Sequence, residues 1–331
     1  MSVPFDAVLL VAFGGPQGPD DVRPFLENVL RGRRASAERI DEVARHYDRF
    51  GGVSPLTELT LSQAQALENT LDARGLPLRV HVGMRNWHPY VTDTLAEMAG
   101  AGVRRAIGVI AAAQRSYSGC AQYRENVRDA RIALAEIGTH PVDVTYVGDW
   151  HEHPGFIEAN ADHVREAFDR LPVDRRAHAR LIFTAHSIPV SMARDYPYEA
   201  QLRASAARIA ESADQPDWAL VYQSRSGRPG DPWLEPDVSD YLRRERKEGL
   251  DAAVLCPVGF LCDHVEVLYD LDVEAAETCK EIDLAVERAA AVNVHPRFID
   301  ALADAVLDVW ARYAEGRPLS IVSSASNGSS A

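Results

Sequence analysis

Seven short apolar runs punctuate the first 257 residues of the chain, and longer amphipathic stretches separate most of them. The runs cover residues 7–13, 78–83, 106–112, 142–147, 181–184, 219–222 and 252–257. Continuous apolar runs of this length are typical of strands in a parallel sheet that is covered on both faces. Helix-like stretches lie between them, at residues 62–73, 90–99, 123–136, 156–169 and 198–213. This alternation predicts an α/β fold with right-handed crossovers.

The runs divide four and three around residues 149–154 of the 331-residue chain, which predicts two similar α/β halves with a cleft between them. We place the first domain at residues 1–150 and the second at residues 151–318. Residues 319–331 end in small and polar side chains, SSASNGSSA, and predict a disordered tail. In open α/β sheets ligands bind beyond the carboxyl ends of the strands, so functional residues are expected just after each apolar run.

Composition narrows the classes of partner and the compartment. The formal net charge is −14, and an acidic surface repels phosphate backbones, so nucleic acid is not an expected partner. No apolar run reaches the ~20 residues that span a bilayer. The N-terminus lacks the basic region and cleavage site of a secretory signal. We therefore expect a cytoplasmic protein whose four cysteines are reduced; these are Cys120, Cys256, Cys262 and Cys279. A monomer is a separate expectation that these features do not establish.

Two segments of the first half carry polar side chains that suit a binding site. An arginine cluster that includes Arg31 and Arg33 precedes His46, Tyr47 and a Gly-rich loop that ends at Ser54. Arginines beside such a loop can bind carboxylates, although a solvated basic turn explains the same pattern and is favoured by the residues alone. The third run is followed by the segment RSYSGC and Tyr123. Hydroxyls and an aromatic ring at a strand end suit a planar pocket, but they are also ordinary helix-start residues.

His186 follows the fifth apolar run. Its unperturbed pKa near ~6.5 lets a histidine accept a proton at neutral pH, and its place at a strand end makes a functional role as plausible as a structural one. After the seventh run, Glu266, Asp270 and Glu274 follow one another at intervals of four residues. On a helix they form one acidic stripe, in which like charges cost ~0.2–0.5 kcal/mol per pair. Such a stripe can pass protons or hold a divalent cation, whereas the alternative is a solvated helix face.

Six segments together resemble the ferrochelatase family, in particular the coproporphyrin ferrochelatases of Gram-positive bacteria. They are LLVAFGGP (9–16), HYDRFGGVSPL (46–56), RSYSGCAQY (115–123), FTAHSIP (183–189), YQSRSGRPGDPWLEPDV (222–238) and CPVGFLCDHVEVLYDLD (256–272). The resemblance extends to about residue 312, and the last three segments in this order are the most specific. It implies two Rossmann-like domains around a porphyrin cleft. It also implies insertion of Fe²⁺ into coproporphyrin III during heme biosynthesis, with transient contacts to neighbouring enzymes of that pathway.

The resemblance also implies roles for individual residues. His186 matches the histidine that takes pyrrole protons or meets the iron, and Glu266 matches the glutamate that faces it. Asp270 and Glu274 match an acidic line that leads away from the site. The implied substrate-binding residues are Ser54, Tyr123, Arg31, Arg33, His46 and Tyr47.

Three departures from the family pattern carry expectations of their own. Phe13 stands where some relatives have a tyrosine that ligates the product iron, so that contact is not expected here. His46 stands where relatives can have a basic residue that contacts substrate. Actinobacterial relatives often bind a 2Fe–2S cluster through cysteines near the C-terminus, but residues 280–331 contain no cysteine. We therefore predict no cluster and no permanently bound cofactor, with Fe²⁺ as a substrate.

Two other functions remain open. A protoporphyrin IX ferrochelatase often carries an apolar lip that touches the membrane, whereas residues 17–21 are polar here and favour a water-soluble porphyrin with four carboxylates. A non-catalytic tetrapyrrole or metal carrier of the same fold would not need His186 and Glu266 to face one another. The separation of these two side chains therefore discriminates between a carrier and an enzyme.

Overall fold

The computed structural model describes residues 4–31, 37–226 and 230–316. Within these ranges eight strands form two four-stranded sheets, in the orders β2-β1-β3-β4 and β6-β5-β7-β8, and every strand pair is parallel. The strands are β1 (Ala7–Ala12), β2 (Arg79–Met84), β3 (Arg105–Ile110), β4 (Asp143–Tyr146), β5 (Arg180–His186), β6 (Trp218–Gln223), β7 (Ala252–Cys256) and β8 (Ala285–Arg288).

Helices connect the strands and cover the sheets. They are α1 (Pro19–Val29), α2 (Ala37–Asp48), α3 (Leu56–Ala73), α4 (Val91–Gly100), α5 (Gln122–Glu136), α6 (Pro154–Arg170), α7 (Val173–Arg176), α8 (Val190–Asp195), α9 (Tyr198–Ser212), α10 (Val238–Lys247), α11 (Val265–Tyr269), α12 (Ala276–Glu281) and α13 (Pro296–Ala314). Two π-helical segments, Tyr117–Ala121 and Asp270–Ala275, lead into α5 and α12 respectively. The predicted α/β fold with two parallel sheets is confirmed.

Successive side chains of β1 point to opposite faces of its sheet, so this one short apolar run packs against helices on both sides. Val8, Leu10 and Ala12 belong to a core that also contains α3 side chains, whereas Leu9 and Val11 pack with side chains of α4 and α5. All six residues of β1 are buried. The strand lies inside its sheet, so both of its faces must be apolar.

The predicted division into four and three strands was wrong by one strand, because β8 was missed. Its sequence, AVER, carries two charged residues, and each of its four positions is only half-buried. β8 lies at the edge of its sheet and pairs with β7 alone. An edge strand of this kind does not need the continuous apolar run that a strand buried on both faces requires.

Helix α13 crosses between the two halves of the chain. It packs against α6 and also against α3 and β3 of the N-terminal half. Its Tyr313 ring meets Phe5 edge-on, with 4.9 Å between ring centroids. The domain limits at residues 150 and 318 stay predictions, and the predicted tail at 319–331 lies outside the described residues. None of the helices in the described ranges combines the length and the apolarity that crossing a bilayer requires.

Contacts between the two halves bring the carboxyl ends of both sheets together. The Gln114 side chain, beyond β3, lies 3.5 Å from the Val258 carbonyl oxygen, beyond β7. The Arg115 N–H donates to Gln201 Oε1 of α9 at 2.7 Å. The segments in which functional residues were expected therefore border one cleft.

Candidate active site

His186 is the last residue of β5, and its main chain and side chain are both held. Its Nδ1 lies 2.6 Å from the Ser187 carbonyl oxygen, and the Tyr198 hydroxyl donates to the His186 carbonyl at 3.1 Å. A carbonyl oxygen only accepts hydrogen bonds, so Nδ1 carries the proton. In the neutral ring, Nε2 then presents its lone pair to the cleft and can act as a base.

Glu266 lies in the first turn of α11, directly across from His186. The two side chains approach to 3.9 Å between His186 Nε2 and Glu266 Oε2, and their side chains are 34% and 43% exposed. This pair is therefore close enough to act on one bound group and open enough to admit one. It offers one nitrogen and one oxygen to a metal ion. Among the described residues there is no cluster of three or more candidate metal-binding side chains.

His264 begins the helix that carries Glu266. Its Nδ1 accepts a hydrogen bond from the Glu266 N–H at 3.2 Å, which satisfies one of the free donors of the first helical turn. Burial lowers the pKa of His264, as does the neighbouring His186, so the ring stays neutral and keeps its acceptor. The backbone of Glu266 is thus fixed at the start of α11.

The predicted acidic stripe does not lie on one continuous α-helix, because Asp270 and Glu274 fall in the π-helical segment that follows α11. Burial raises the pKa of Asp270 to about 7, and the hydrogen bonds from Ser224 and Gln223 oppose that rise. Burial also raises the pKa of Glu274. The stripe therefore contains a carboxyl group that changes its protonation state near neutral pH.

His46 and Tyr47 lie at the end of α2 and face different surroundings. The His46 ring stacks on Tyr269, with 3.7 Å between centroids and 8° between planes. Burial lowers the pKa of His46. Tyr47 is only 7% exposed, and its ring meets Phe25 edge-on at 5.9 Å. Their substrate contacts stay predictions, and the structure gives each of them a packing role.

The remaining substrate-binding candidates are spread over the N-terminal half. Ser54 is 4% exposed, and its hydroxyl accepts a hydrogen bond from the Leu56 N–H at 3.4 Å near the start of α3. Tyr123 is buried in the apolar cluster between α4 and α5. Arg31 is exposed and donates to the Asn28 side chain. Arg33 lies outside the described residues. The substrate contacts of these four residues also stay predictions.

A cavity of about 430 Å³ lies where the two halves meet. Tyr117 contributes one wall, and Ser191, Met192, Asp195 and Tyr196 contribute the other. The cavity opens along the segment that follows His186, and neither His186 nor Glu266 lines it.

Three residues that the sequence analysis did not single out hold this site together. Ser187 accepts the hydrogen bond from His186, His264 caps the helix of Glu266, and Gln223 lies beside both Glu266 and Asp270. Gln223 had a signal that could have found it, because it follows the sixth apolar run at a strand end. Ser187 and His264 act mainly through local hydrogen-bonding geometry, which no spacing reveals.

Comparison with known proteins gives a consistent result. The family model described as Ferrochelatase matches residues 5–309. A coproporphyrin III ferrochelatase of Streptomyces coelicolor is 46% identical, over 92% of this chain and 85% of the relative. A protein of Rhodopirellula baltica named ferrochelatase is also 46% identical, over 90% of this chain and 84% of its own length. Among solved structures, SirB from Bacillus subtilis with Fe³⁺ has a TM-score of 0.58 at 10% identity. It covers 95% of this chain and 99% of its own, so it is a likeness of fold alone.

Proposed function

This chain belongs to the ferrochelatase family, and we propose that it inserts Fe²⁺ into coproporphyrin III to give coproheme in heme biosynthesis. The observation that carries the proposal is the approach of His186 Nε2 to Glu266 Oε2, at 3.9 Å. A carrier of the same fold has no need for a base and a carboxylate that face one another. The metal and the porphyrin are substrates, so the pair has to act on them without retaining them.

Metallation removes two N–H protons from the porphyrin as one divalent ion enters. The lone pair on His186 Nε2 takes a pyrrole proton, while the Nδ1 hydrogen bond to Ser187 keeps the ring in that tautomer. A positioned base of this kind contributes ~10²–10⁴-fold to a rate. His186 must then release the proton before the next turnover.

Glu266 is the second member of the pair. Its carboxylate approaches the incoming Fe²⁺ with an oxygen ligand or receives the second proton. Asp270 and Glu274 follow it in the π-helical segment after α11, and the pKa of Asp270, raised to about 7, allows this group to pass a proton on at neutral pH. The acidic line therefore serves as the exit for protons in this account.

The choice of coproporphyrin III rests on two observations. Relatives from Streptomyces coelicolor, Mycolicibacterium vanbaalenii and Nocardia farcinica, each 46% identical to this chain, carry the name coproporphyrin III ferrochelatase. Residues Gln17, Pro19 and Asp20, at the start of α1, are exposed and form no apolar lip. Both favour a substrate with four propionates over protoporphyrin IX, which has two.

We also propose that the enzyme contains no iron–sulfur cluster and acts as a monomer in the cytoplasm. It contacts neighbouring enzymes of the pathway transiently. Three of the four cysteines are buried, and burial raises the pKa of each of their thiols. A 2Fe–2S cluster is usually held by four cysteine thiolates at one site, whereas Cys256 and Cys279 pack inside two different apolar clusters.

Anaerobic Fe²⁺ insertion, followed by absorbance with coproporphyrin III and with protoporphyrin IX, tests the proposal. A site that hydrogen-bonds four carboxylates leaves donors unpaired when two are missing, at ~1–3 kcal/mol for each buried donor. We expect kcat/KM to favour coproporphyrin III at least tenfold. Equal values, or a preference for protoporphyrin IX, would remove the coproporphyrin assignment, and no insertion into either would remove the enzymatic one.

A further inference from the structure

Gln223 is the last residue of β6, and it pairs in parallel register with His186 of β5. Its side chain is 1% exposed. We propose that Gln223 is a positioning residue for metal insertion, which aligns His186 through its main chain and Glu266 through its side chain. This inference rests on the proposed function, because it assumes that these two residues perform the reaction.

The main chain of Gln223 acts on His186 by way of Ser187. The Gln223 carbonyl accepts the Ser187 N–H at 2.8 Å, and the Ser187 hydroxyl donates to the Leu234 carbonyl at 2.8 Å. Ser187 is therefore held on two sides. Its own carbonyl is the acceptor for His186 Nδ1. The orientation and the tautomer of the base thus depend on a residue that Gln223 anchors.

The side chain of Gln223 acts on the helix that carries Glu266. Its Nε2 donates to the Glu266 carbonyl at 3.4 Å and to Asp270 Oδ2 at 3.3 Å. Both partners are acceptors, so the amide must point its NH₂ group toward them. The two contacts lie where α11 changes into the π-helical segment, at the first residues of the acidic line. The Gln223 side-chain amide therefore holds the chain at the point where α-helical hydrogen bonding changes to π-helical hydrogen bonding.

The other end of the amide supports this interpretation. Gln223 Oε1 is buried, and it has no hydrogen-bond partner in the described part of the chain. An unpaired buried oxygen opposes folding, so the stability of its own hydrogen bonds does not fully explain a carboxamide at this position. What its NH₂ group supplies is the pair of donor contacts to Glu266 and Asp270.

A general contribution to stability is the alternative, and buried Asn160 of α6 provides the comparison. It is 1% exposed, its Nδ2 donates to the Phe156 carbonyl at 2.9 Å, and its Oδ1 lies 4.0 Å from Cys256 Sγ. Replacing Asn160 also removes the hydrogen bonds of a buried amide, but neither of its partners is His186 or Glu266. A residue that only stabilises the fold should behave as Asn160 does.

The experiment compares Gln223→Met, Gln223→Glu and Asn160→Leu with the wild-type chain in anaerobic Fe²⁺ insertion, alongside thermal unfolding. Methionine keeps the approximate volume, and glutamate keeps the shape but not the NH₂ donors. Both keep the main-chain bond to Ser187. Misplacing a reacting group by about 1 Å costs about 10²-fold. We therefore expect both Gln223 variants to lose about 10- to 100-fold in kcat with the porphyrin KM within about threefold, whereas Asn160→Leu keeps its kcat.

Two results would overturn the inference. One is a folded Gln223 variant with kcat within about twofold of wild type. The other is an equal loss of kcat in Asn160→Leu. If Gln223→Met does not fold, the isosteric Gln223→Glu decides the question. The wild-type protein separates this test from that of the proposed function, since a wild-type chain that inserts no iron contradicts the function itself.

Discussion

The Ser224 hydroxyl donates a hydrogen bond to the Asp270 carboxylate, while the Ser224 backbone adopts a φ of +59°. This left-handed conformation is uncommon for residues other than glycine, and such strain is concentrated at functional sites. The contact joins the loop after β6 to the π-helical segment after α11. It therefore links the strand end that carries Gln223 to the acidic line beyond Glu266.

Asp270→Asn is expected to stabilise the fold at neutral and alkaline pH. The pKa of Asp270 is raised from 3.8 to about 7, so the native state binds this proton more tightly than the unfolded state. The associated stability is fully present below pH 3.8 and is lost as the pH rises through 7. Thermal unfolding between pH 4 and 8.5 should show the variant's advantage in melting temperature growing with pH. An advantage that is the same at every pH, or a less stable variant at pH 8, would contradict this assignment.

The stacking of His46 on Tyr269 makes a prediction about stability. His46→Ala removes the ring contact between α2 and α11, and such aromatic contacts contribute ~0.5–1.5 kcal/mol beyond simple burial. His46→Phe keeps a flat ring in the same place. Urea unfolding should therefore give a lower free energy of unfolding for the alanine variant and a value near wild type for phenylalanine. Identical losses in both variants would show that the imidazole nitrogens, and not the stacked ring, are what matter.

The purified protein should carry no iron–sulfur chromophore. The four cysteines stop at Cys279, and burial keeps Cys256, Cys262 and Cys279 protonated. Anaerobic preparations from iron-replete cells should lack charge-transfer absorbance in the visible range. A brown protein with about two irons per chain, the content of a 2Fe–2S cluster, would refute the prediction.

The sequence was most informative for strands that are buried on both faces, because most positions of such a strand have to be apolar. β1, β3, β5 and β7 are buried on both faces, and their apolar runs identified them. β8 was not predicted, because an edge strand whose positions are half-buried does not need a continuous apolar run. The sequence analysis singled out His186 by its place at a strand end and Glu266 by the four-residue spacing of three carboxylates, together with the family resemblance.

The supporting residues were harder to predict, because their roles depend on hydrogen bonds between distant segments. Gln223 and Glu266 are 43 positions apart in the chain, and the π-helical segment between Asp270 and Ala275 has no signature in the spacing of its carboxylates. A helix of regular pitch was the natural expectation for Glu266, Asp270 and Glu274. The change of pitch appears only once the three-dimensional contacts are known.

The central claim is that His186 is the base that acts on the porphyrin, and His186→Ala tests it most directly. The matched control is His178→Ala, since His178 is exposed in the connection between α7 and β5. Both variants are assayed for anaerobic Fe²⁺ insertion and for thermal unfolding. We predict that His186→Ala loses ~10²–10⁴-fold in kcat while its melting temperature stays near wild type, and that His178→Ala retains full activity. A folded His186→Ala variant with near wild-type turnover would contradict the account.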